Sequence, residues 1–382
     1  LSKEKREKVQ KILVEMDDEL NFQEFKKIIS FMSTSIIDFN LNNDVLEIQF
    51  QDSMDPNLMR KIINDNLNKF KSIATEEEMV IFEQMTKREY LGEDQLYSSG
   101  MVFKFSDGVI GLSKDAIKLY EFFDNKFKDI AMSIGAKEER YPVLLPLNTI
   151  SNTGYLKTSP QYSMFCCNAK EDFEELTQLD KVCKNGEQIK EKISDPKFTL
   201  SPAACFHTYE HLRNQEIDRE KIITFNQSVF RNEGRFNWGD FGRLRDYHVR
   251  EIVFVGSADF VRKSRESVVS LSIKFLNEIG LNASLNVAYD PFVIPKMQKF
   301  KTIQVQERNK YELQVYYDEN KSLAVASFNL HGDAFTLPFN IKVKGVDNAV
   351  TGCVGFGIER WVLAFIMQYG LDSSTWPSCI QI

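Results

Sequence analysis

The stretch FNQSVFRNEGRFNWGDFGRLRDYHVREIVFVG, residues 225–256, decides how the rest of the chain is read. Val229 and Phe230 end an apolar run. A polar loop containing Gly, Asn, Asp and Trp follows, and a second β-rich run closes with Ile252-Val253-Phe254-Val255. Two such runs joined by a glycine-containing polar loop predict a long hairpin. Charges at the ends of its strands are unfavourable to bury unless something charged binds there. Arg231 offers a planar fork of donors that suits a phosphate. Tyr247 offers a flat face on which a base can stack.

Around the hairpin lies a chain of 382 residues, enough for two or three units of ordinary domain size. The hydrophobic fraction, 43%, is that of a globular protein with a sizeable core. The net charge of −7, with acids and bases interspersed, argues against a surface that coats nucleic acid generally. A local basic patch stays open. Six cysteines, at 166, 167, 183, 205, 353 and 379, form neither a CxxC pair nor a disulfide framework, which fits a reducing cytoplasm. No apolar run reaches the length of a membrane span, and no signal peptide is visible.

Working outward, residues 3–33 place Val9, Ile12, Leu13, Met16 and then Phe25, Ile28, Ile29, Met32 at helical spacing, with Asn21 as a cap for the second helix. Residues 35–41 and 45–50 read as strands, and 58–70 as a helix opened by Pro56. These make a small α+β domain, 1–74. Residues 75–100 read as a charged helix (76–88) and a loop (92–100), a linker to a larger domain at 101–382. There, 113–132 and 262–280 read as helices, 141–146 as a buried strand, 170–195 as an exposed helical stretch, and 286–290, 311–317 and 323–330 as strands. Gly352-Cys353-Val354-Gly355-Phe356-Gly357 leads into the apolar helix that begins Ile358-Glu359-Arg360. Its glycines let backbone approach a ligand closely, and Arg360 near a helix start suits phosphate.

Phe230-Arg231-Asn232-Glu233, followed by Tyr247 and Glu251, resembles motif 2 of the class II aminoacyl-tRNA synthetases. Gly355-Phe356-Gly357-Ile358-Glu359-Arg360 resembles their motif 3. The resemblance narrows on Tyr155-Leu156-Lys157-Thr158-Ser159-Pro160, Ser201-Pro202-Ala203-Ala204-Cys205, Val249-Arg250-Glu251-Ile252-Val253, Ala288-Tyr289-Asp290-Pro291-Phe292 and Ser327-Phe328-Asn329. In this order they resemble the amino acid:[carrier protein] ligases, truncated homologues of the atypical zinc-dependent seryl-tRNA synthetases. The match runs from about Met101 to the end. It implies an α+β fold with a synthetase-like antiparallel sheet flanked by helices, behind the small N-terminal α+β domain.

The resemblance also implies a site. Cys205, Glu251 and Cys353 match the zinc ligands, whose open position takes the substrate amine. Nothing in their spacing marks a metal site, and a lone Cys in an apolar run is by itself most often a small core residue. Of the four histidines, His207 is nearest in sequence to this set, and His211, His248 and His331 are the other imidazoles to consider. Arg231 is assigned to the α-phosphate of ATP, Arg360 to the γ-phosphate, Glu233 to the adenine amino group and Tyr247 to stacking. Ser327 and Asn329 fall to the substrate. Ala324 stands where seryl enzymes carry a magnesium-binding Glu, which leaves Glu312 as a candidate for the Mg2+ that accompanies ATP, against a plain solvent-facing role.

The implied reaction activates a small amino acid as its adenylate and passes it to the phosphopantetheine thiol of a carrier protein. Two alternatives stand beside it: a seryl-like enzyme charging tRNA, and a synthetase-like sensor without turnover. Lys296, Lys299 and Lys301, and separately Arg262, Lys263 and Arg265, are the basic clusters where an acidic carrier would dock. By analogy a homodimer is expected, formed near residues 145–160.

Overall fold

The computed structural model describes residues 9–16, 22–42, 44–71, 79–184 and 189–380. The hairpin forms as the sequence reading expects: strands Lys221–Phe230 and Asp246–Gly256 pair antiparallel, with Phe225 opposite Glu251 and Val229 opposite Tyr247. It is part of an eight-stranded sheet. The order is Val80–Gln84, Ala283–Val287, Lys310–Tyr316, Ser322–Gly332, Val350–Gly357, Asp246–Gly256, Lys221–Phe230, Lys137–Glu138. Every pairing is antiparallel except the last.

Alternation along the strands separates two faces. One face carries Ile252, Phe254, Val354, Phe356 and Phe328, and packs on helices Asp115–Ser133, Ala258–Ile279 and Ile358–Tyr369. Aromatic rings fill that layer; Phe127 stacks on Phe356 with centroids 4.1 Å apart, and Trp361 lies 5.0 Å from Phe127. The other face carries Phe225, Val229, Tyr247, Val249, Val253 and Cys353, and packs on helix Phe206–His211 with Cys205 and Tyr209.

A separate three-stranded sheet, in the order Val9–Glu15, Val45–Gln51, Ile36–Asn42, lies with helices Phe22–Met32 and Pro56–Lys71. Phe25, Ile29, Leu46, Ile48, Phe50 and Ile63 are buried among themselves there. This is the small N-terminal domain.

Several local expectations are corrected. Val9–Glu15 is a strand, not a helix: Ile12 and Val14 point inward against Val45–Gln51, while Val9 and Leu13 are exposed. The expected cap Asn21 lies outside the described residues, as do 76–78 of the expected charged helix. From Val80 that segment is a strand paired with Ala283–Val287, so it belongs to the large sheet rather than to a linker. Thr86 and Arg88 hold it there, through Asn282 Oδ1 at 2.8 Å and the Gly280 carbonyl at 2.8 Å. Residues expected as the loop 92–100 contain helix Glu93–Ser98. The strand expected at 141–146 is only Leu144–Pro146, and Val143 and Leu144 are exposed rather than buried. No described helix is long and apolar enough to cross a membrane.

Candidate active site

The central strands bring distant residues together by register. Cys353 lies opposite Val253 on one side and Asn329 on the other, and Gly355 lies opposite Glu251 and Ser327. Cys205 reaches the same point from the start of helix Phe206–His211. The Sγ atoms of Cys205 and Cys353 and a carboxylate oxygen of Glu251 all lie within 4.8 Å of one another, and all three residues are buried. Gly355 makes room for them: a Cβ there would stand 2.7 Å from Glu251 Oε2.

Packed together out of water, Glu251 and Cys353 are both driven toward their protonated forms. Burial pushes the Glu251 carboxyl up to about 7, partly offset by hydrogen bonding to Cys353 and by the Arg231 charge. The Cys353 thiol is pushed well above its ordinary value, first by its hydrogen bond with Cys205, then by burial and the Glu251 charge. Two thiolates and a carboxylate at this spacing are a donor set suited to Zn2+, which would relieve that repulsion and leave one position open.

The histidine beside this cluster is His331, not His207. His331 Nε2 lies 3.6 Å from Cys353 Sγ, and its Nδ1 lies 3.2 Å from Thr351 Oγ1. His207 points away, to the Leu144 carbonyl at 3.2 Å. His248 serves elsewhere, bonded through Nδ1 to Glu359 at 2.7 Å. Asn329 Nδ2 stands 3.6 Å from Cys353 Sγ and donates to Ser327 Oγ at 3.2 Å, so the expected substrate residues border the cluster.

The two expected phosphate-binding arginines each stand over a tyrosine ring, Arg231 over Tyr162 at 5.7 Å from the centroid and Arg360 over Tyr247. The Arg360 guanidinium lies 4.9 Å from the Tyr247 centroid and is steadied by the Gly242 and Ala324 carbonyls. Arg231 donates from Nε to the Pro202 carbonyl at 2.9 Å. Burial would lower its pKa, but the field of Tyr247, Tyr155, Glu233 and Tyr162 raises it, so its charge is secure. Glu233 is buried and accepts from Arg243 Nη1 at 3.1 Å.

Three features were not foreseen. Arg243 braces Glu233; its place in the hairpin loop was visible, its partner was not. Lys310 is buried between Asp290 at 2.7 Å and Glu312 at 3.0 Å. Glu312, expected as a magnesium ligand or a solvent-facing strand residue, is therefore engaged in an ion pair. The expected basic docking clusters are also changed. Arg265 is buried against Tyr311 and Glu266, Arg262 and Lys263 both pair with Asp259, and Lys301 is buried beside Tyr289. A cavity of about 910 Å³ lined by Tyr120, Asp124, Glu138, Tyr141, His248 and Arg250 opens on the opposite face of the hairpin and is separate from the thiol cluster.

Comparison with known proteins bears on the fold. Residues 189–369 match the family described as tRNA synthetase class II core domain (G, H, P, S and T). The type-2 serine–tRNA ligase of Methanocaldococcus jannaschii is 29% identical over 269 residues, 66% of this chain and 51% of that protein. That of Methanopyrus kandleri is 26% identical over 381 residues, 90% of this chain and 72% of that protein. The chain thus spans about half to three quarters of the length of these relatives. Among solved structures, M. kandleri SerRS in complex with A. aeolicus tRNASec superposes with a TM-score of 0.71 at 23% identity, over 97% of this chain and 76% of that one. The seryl-tRNA synthetase of Pyrococcus horikoshii complexed with ATP gives 0.56 at 12% identity, over 85% and 67%. With its antiparallel sheet, its long hairpin and its glycine-rich strand leading into an apolar helix, the chain has a class II aminoacyl-tRNA synthetase-like fold, and residues 189–369 are similar to that family's core domain.

Proposed function

We propose that this protein is an ATP-dependent ligase that activates a small amino acid, serine first among them, as its adenylate and transfers the aminoacyl group to tRNA. The observation that carries the reading is the meeting of Cys205, Glu251 and Cys353 on the same sheet face as Arg231, Tyr247 and Arg360. The three donors would hold zinc, which when bound offers a Lewis-acidic position to a neutral amine and so selects substrates that have one. Ser327 and Asn329 border that position. Arg231 stabilises charge that develops at the α-phosphate as the substrate carboxylate attacks. Arg360 meets the γ-phosphate across the Tyr247 ring, and Glu233, held by Arg243, accepts from the adenine amino group. Catalysis in such a site rests on placement and fixed positive charge rather than on a protein nucleophile. ATP would enter with Mg2+, and Glu312 can contribute only by sharing itself with Lys310.

The acceptor is assigned to tRNA because the relatives above carry the name of serine–tRNA ligases. The sequence motifs on their own favour a carrier-protein thiol, and that remains the second reading. Amino-acid-dependent pyrophosphate exchange tests the first half-reaction; its absence with serine, alanine and glycine alike leaves the sensor reading. Offering the activated amino acid to bulk tRNA and to a phosphopantetheinylated carrier then separates the acceptors. Charged tRNA supports the proposal, and an aminoacyl thioester on the carrier overturns its second half. Arg231→Ala is expected to slow exchange about 10²–10³-fold with an unchanged melting temperature; wild-type exchange in that variant contradicts the phosphate assignment.

We further propose a homodimer, in line with the expected interface near residues 145–160. Leu144, Phe165 and Phe198 are 44%, 52% and 38% exposed on one three-stranded sheet beside that segment. A solution mass of one chain would refute it.

A further inference from the structure

The 15 residues between strands Lys221–Phe230 and Asp246–Gly256 form a hairpin loop far longer than the usual few residues. Such a loop has no interior of its own and needs outside support to keep one conformation. Its return limb is held by the turn between strands Val102–Ser106 and Val109–Leu112. There Arg245 N–H donates to the Gly108 carbonyl at 2.7 Å, and Arg245 Nε donates to the Asp107 carbonyl at 2.8 Å. Its outgoing limb is held by the N-terminal domain. Arg235 donates to three carbonyls just at and beyond the end of helix Phe22–Met32: Ser30 at 2.9 Å, Ser33 at 2.6 Å and Ile36 at 2.8 Å. A guanidinium there meets both the unpaired carbonyls and the negative end of the helix dipole. The next residue, Phe236, packs against the N-terminal core, its ring edge-on to Phe39 at 5.3 Å, and its N–H donates to Ser30 Oγ at 3.2 Å. Lys26 pairs with Asp240 at 2.6 Å. Gly234, at φ +90°, lets the loop backbone sit against the side chains of Ser30 and Phe31: a Cβ there would stand 2.9 Å from Ser30 Cβ and from the Phe31 ring.

Glu233 immediately precedes this docked segment. Its carbonyl accepts from Asn237 Nδ2 at 2.6 Å, and its carboxylate from Arg243 across the loop. The contact with the N-terminal domain therefore determines where the adenine-facing carboxylate stands. We propose that the N-terminal domain is a positioning element of the nucleotide site: through Arg235, Phe236 and Asp240 it holds the motif 2 loop in its ATP-binding conformation. This deepens the adenylating reading above and rests on it. The domain is then a part of the activation step, whatever acceptor it also meets.

The test uses the full chain carrying Phe236→Ala, and separately the surface reversal Lys26→Asp with and without Asp240→Lys. Three quantities are read: tryptic cleavage at Arg231, Arg243 and Arg245, MgATP affinity by calorimetry, and the KM for ATP and for the amino acid in pyrophosphate exchange. Phe236→Ala is expected to speed cleavage in the loop at least 5-fold and to weaken ATP about 10-fold, with the amino-acid KM unchanged. Lys26→Asp is expected to shift the same quantities less, and the added Asp240→Lys to restore them. Wild-type cleavage and ATP affinity in both Phe236→Ala and Lys26→Asp, with native circular dichroism, overturn the proposal. Failure of exchange in the wild type would instead count against the adenylating reading, while cleavage and ATP affinity still judge the clamp.

Discussion

Gly355 shows how much a single position carries at the residue scale. It has ordinary backbone geometry, so its role is space: the Glu251 carboxylate occupies the volume where a side chain would begin. Gly355→Ala is expected to displace Glu251, lower bound zinc measured by elemental analysis, and destabilise the fold by about 1–3 kcal/mol, the range for overpacking a core. Cys205→Ser and Cys353→Ser should each lose the metal with a smaller effect on packing, since Ser is close to isosteric with Cys. Retention of one zinc per chain in either serine variant would remove that residue from the ligand set. Because burial favours the protonated forms of Glu251 and Cys353, metal uptake here should release protons. Zinc affinity should therefore fall as pH drops below the value of about 7 to which burial holds Glu251.

Between elements, two polar ties fix the strand Asp246–Gly256 to its neighbours. His248 joins it to helix Ile358–Tyr369: its backbone N–H and its Nδ1 both meet the Glu359 carboxylate, at 2.8 and 2.7 Å. The hydrogen bond to Glu359 raises the imidazole pKa above its ordinary 6.5, against the opposing effect of burial. A group whose folded pKa is raised adds stability that is fully present below its unfolded value and is lost as pH climbs through the folded one. The melting advantage of wild type over His248→Gln should therefore be greater near about pH 6 than near about pH 9; a gap that widens with pH would reverse the assignment. Arg250 ties the same strand to helix Asp115–Ser133, through Asp124 at 2.8 and 2.7 Å, and to Glu138 at 3.2 Å. Its side chain is nearly inaccessible, so Arg250→Ala leaves a cavity and strips Asp124 of its ion pair, while Glu138 keeps Lys128 at 2.6 Å. Chemical denaturation should show a loss of about 3 kcal/mol.

For the whole molecule, the loop-holding contacts mean that the two domains do not behave as independent units. The part of the fold legible beforehand was the part written in contiguous residues. Phe230-Arg231-Asn232-Glu233 with its loop and return strand fixed the hairpin, and the glycine-rich run into Ile358-Glu359-Arg360 fixed the strand-to-helix turn, because alternation, turn residues and helix periodicity act over a few neighbours. Residues 9–15 depart from the expected helix for the same reason: Val9, Ile12, Leu13 and Met16 fit a helix, and only pairing with Val45–Gln51 selects the inward set Ile12 and Val14. Residues 80–84 likewise became a strand because the edge Ala283–Val287 was available to accept them. The sequence by itself therefore determined the class of the core and the hairpin and strand-to-helix turn that carry Arg231 and Arg360. Tertiary structure alone decided that Cys205, Glu251 and Cys353 share one point, that His331 rather than His207 stands beside them, and that the N-terminal domain grips the hairpin loop 231–245. Those relations depend on strand register and domain docking, which sum many weak contacts between residues far apart in the chain and leave no local pattern to read.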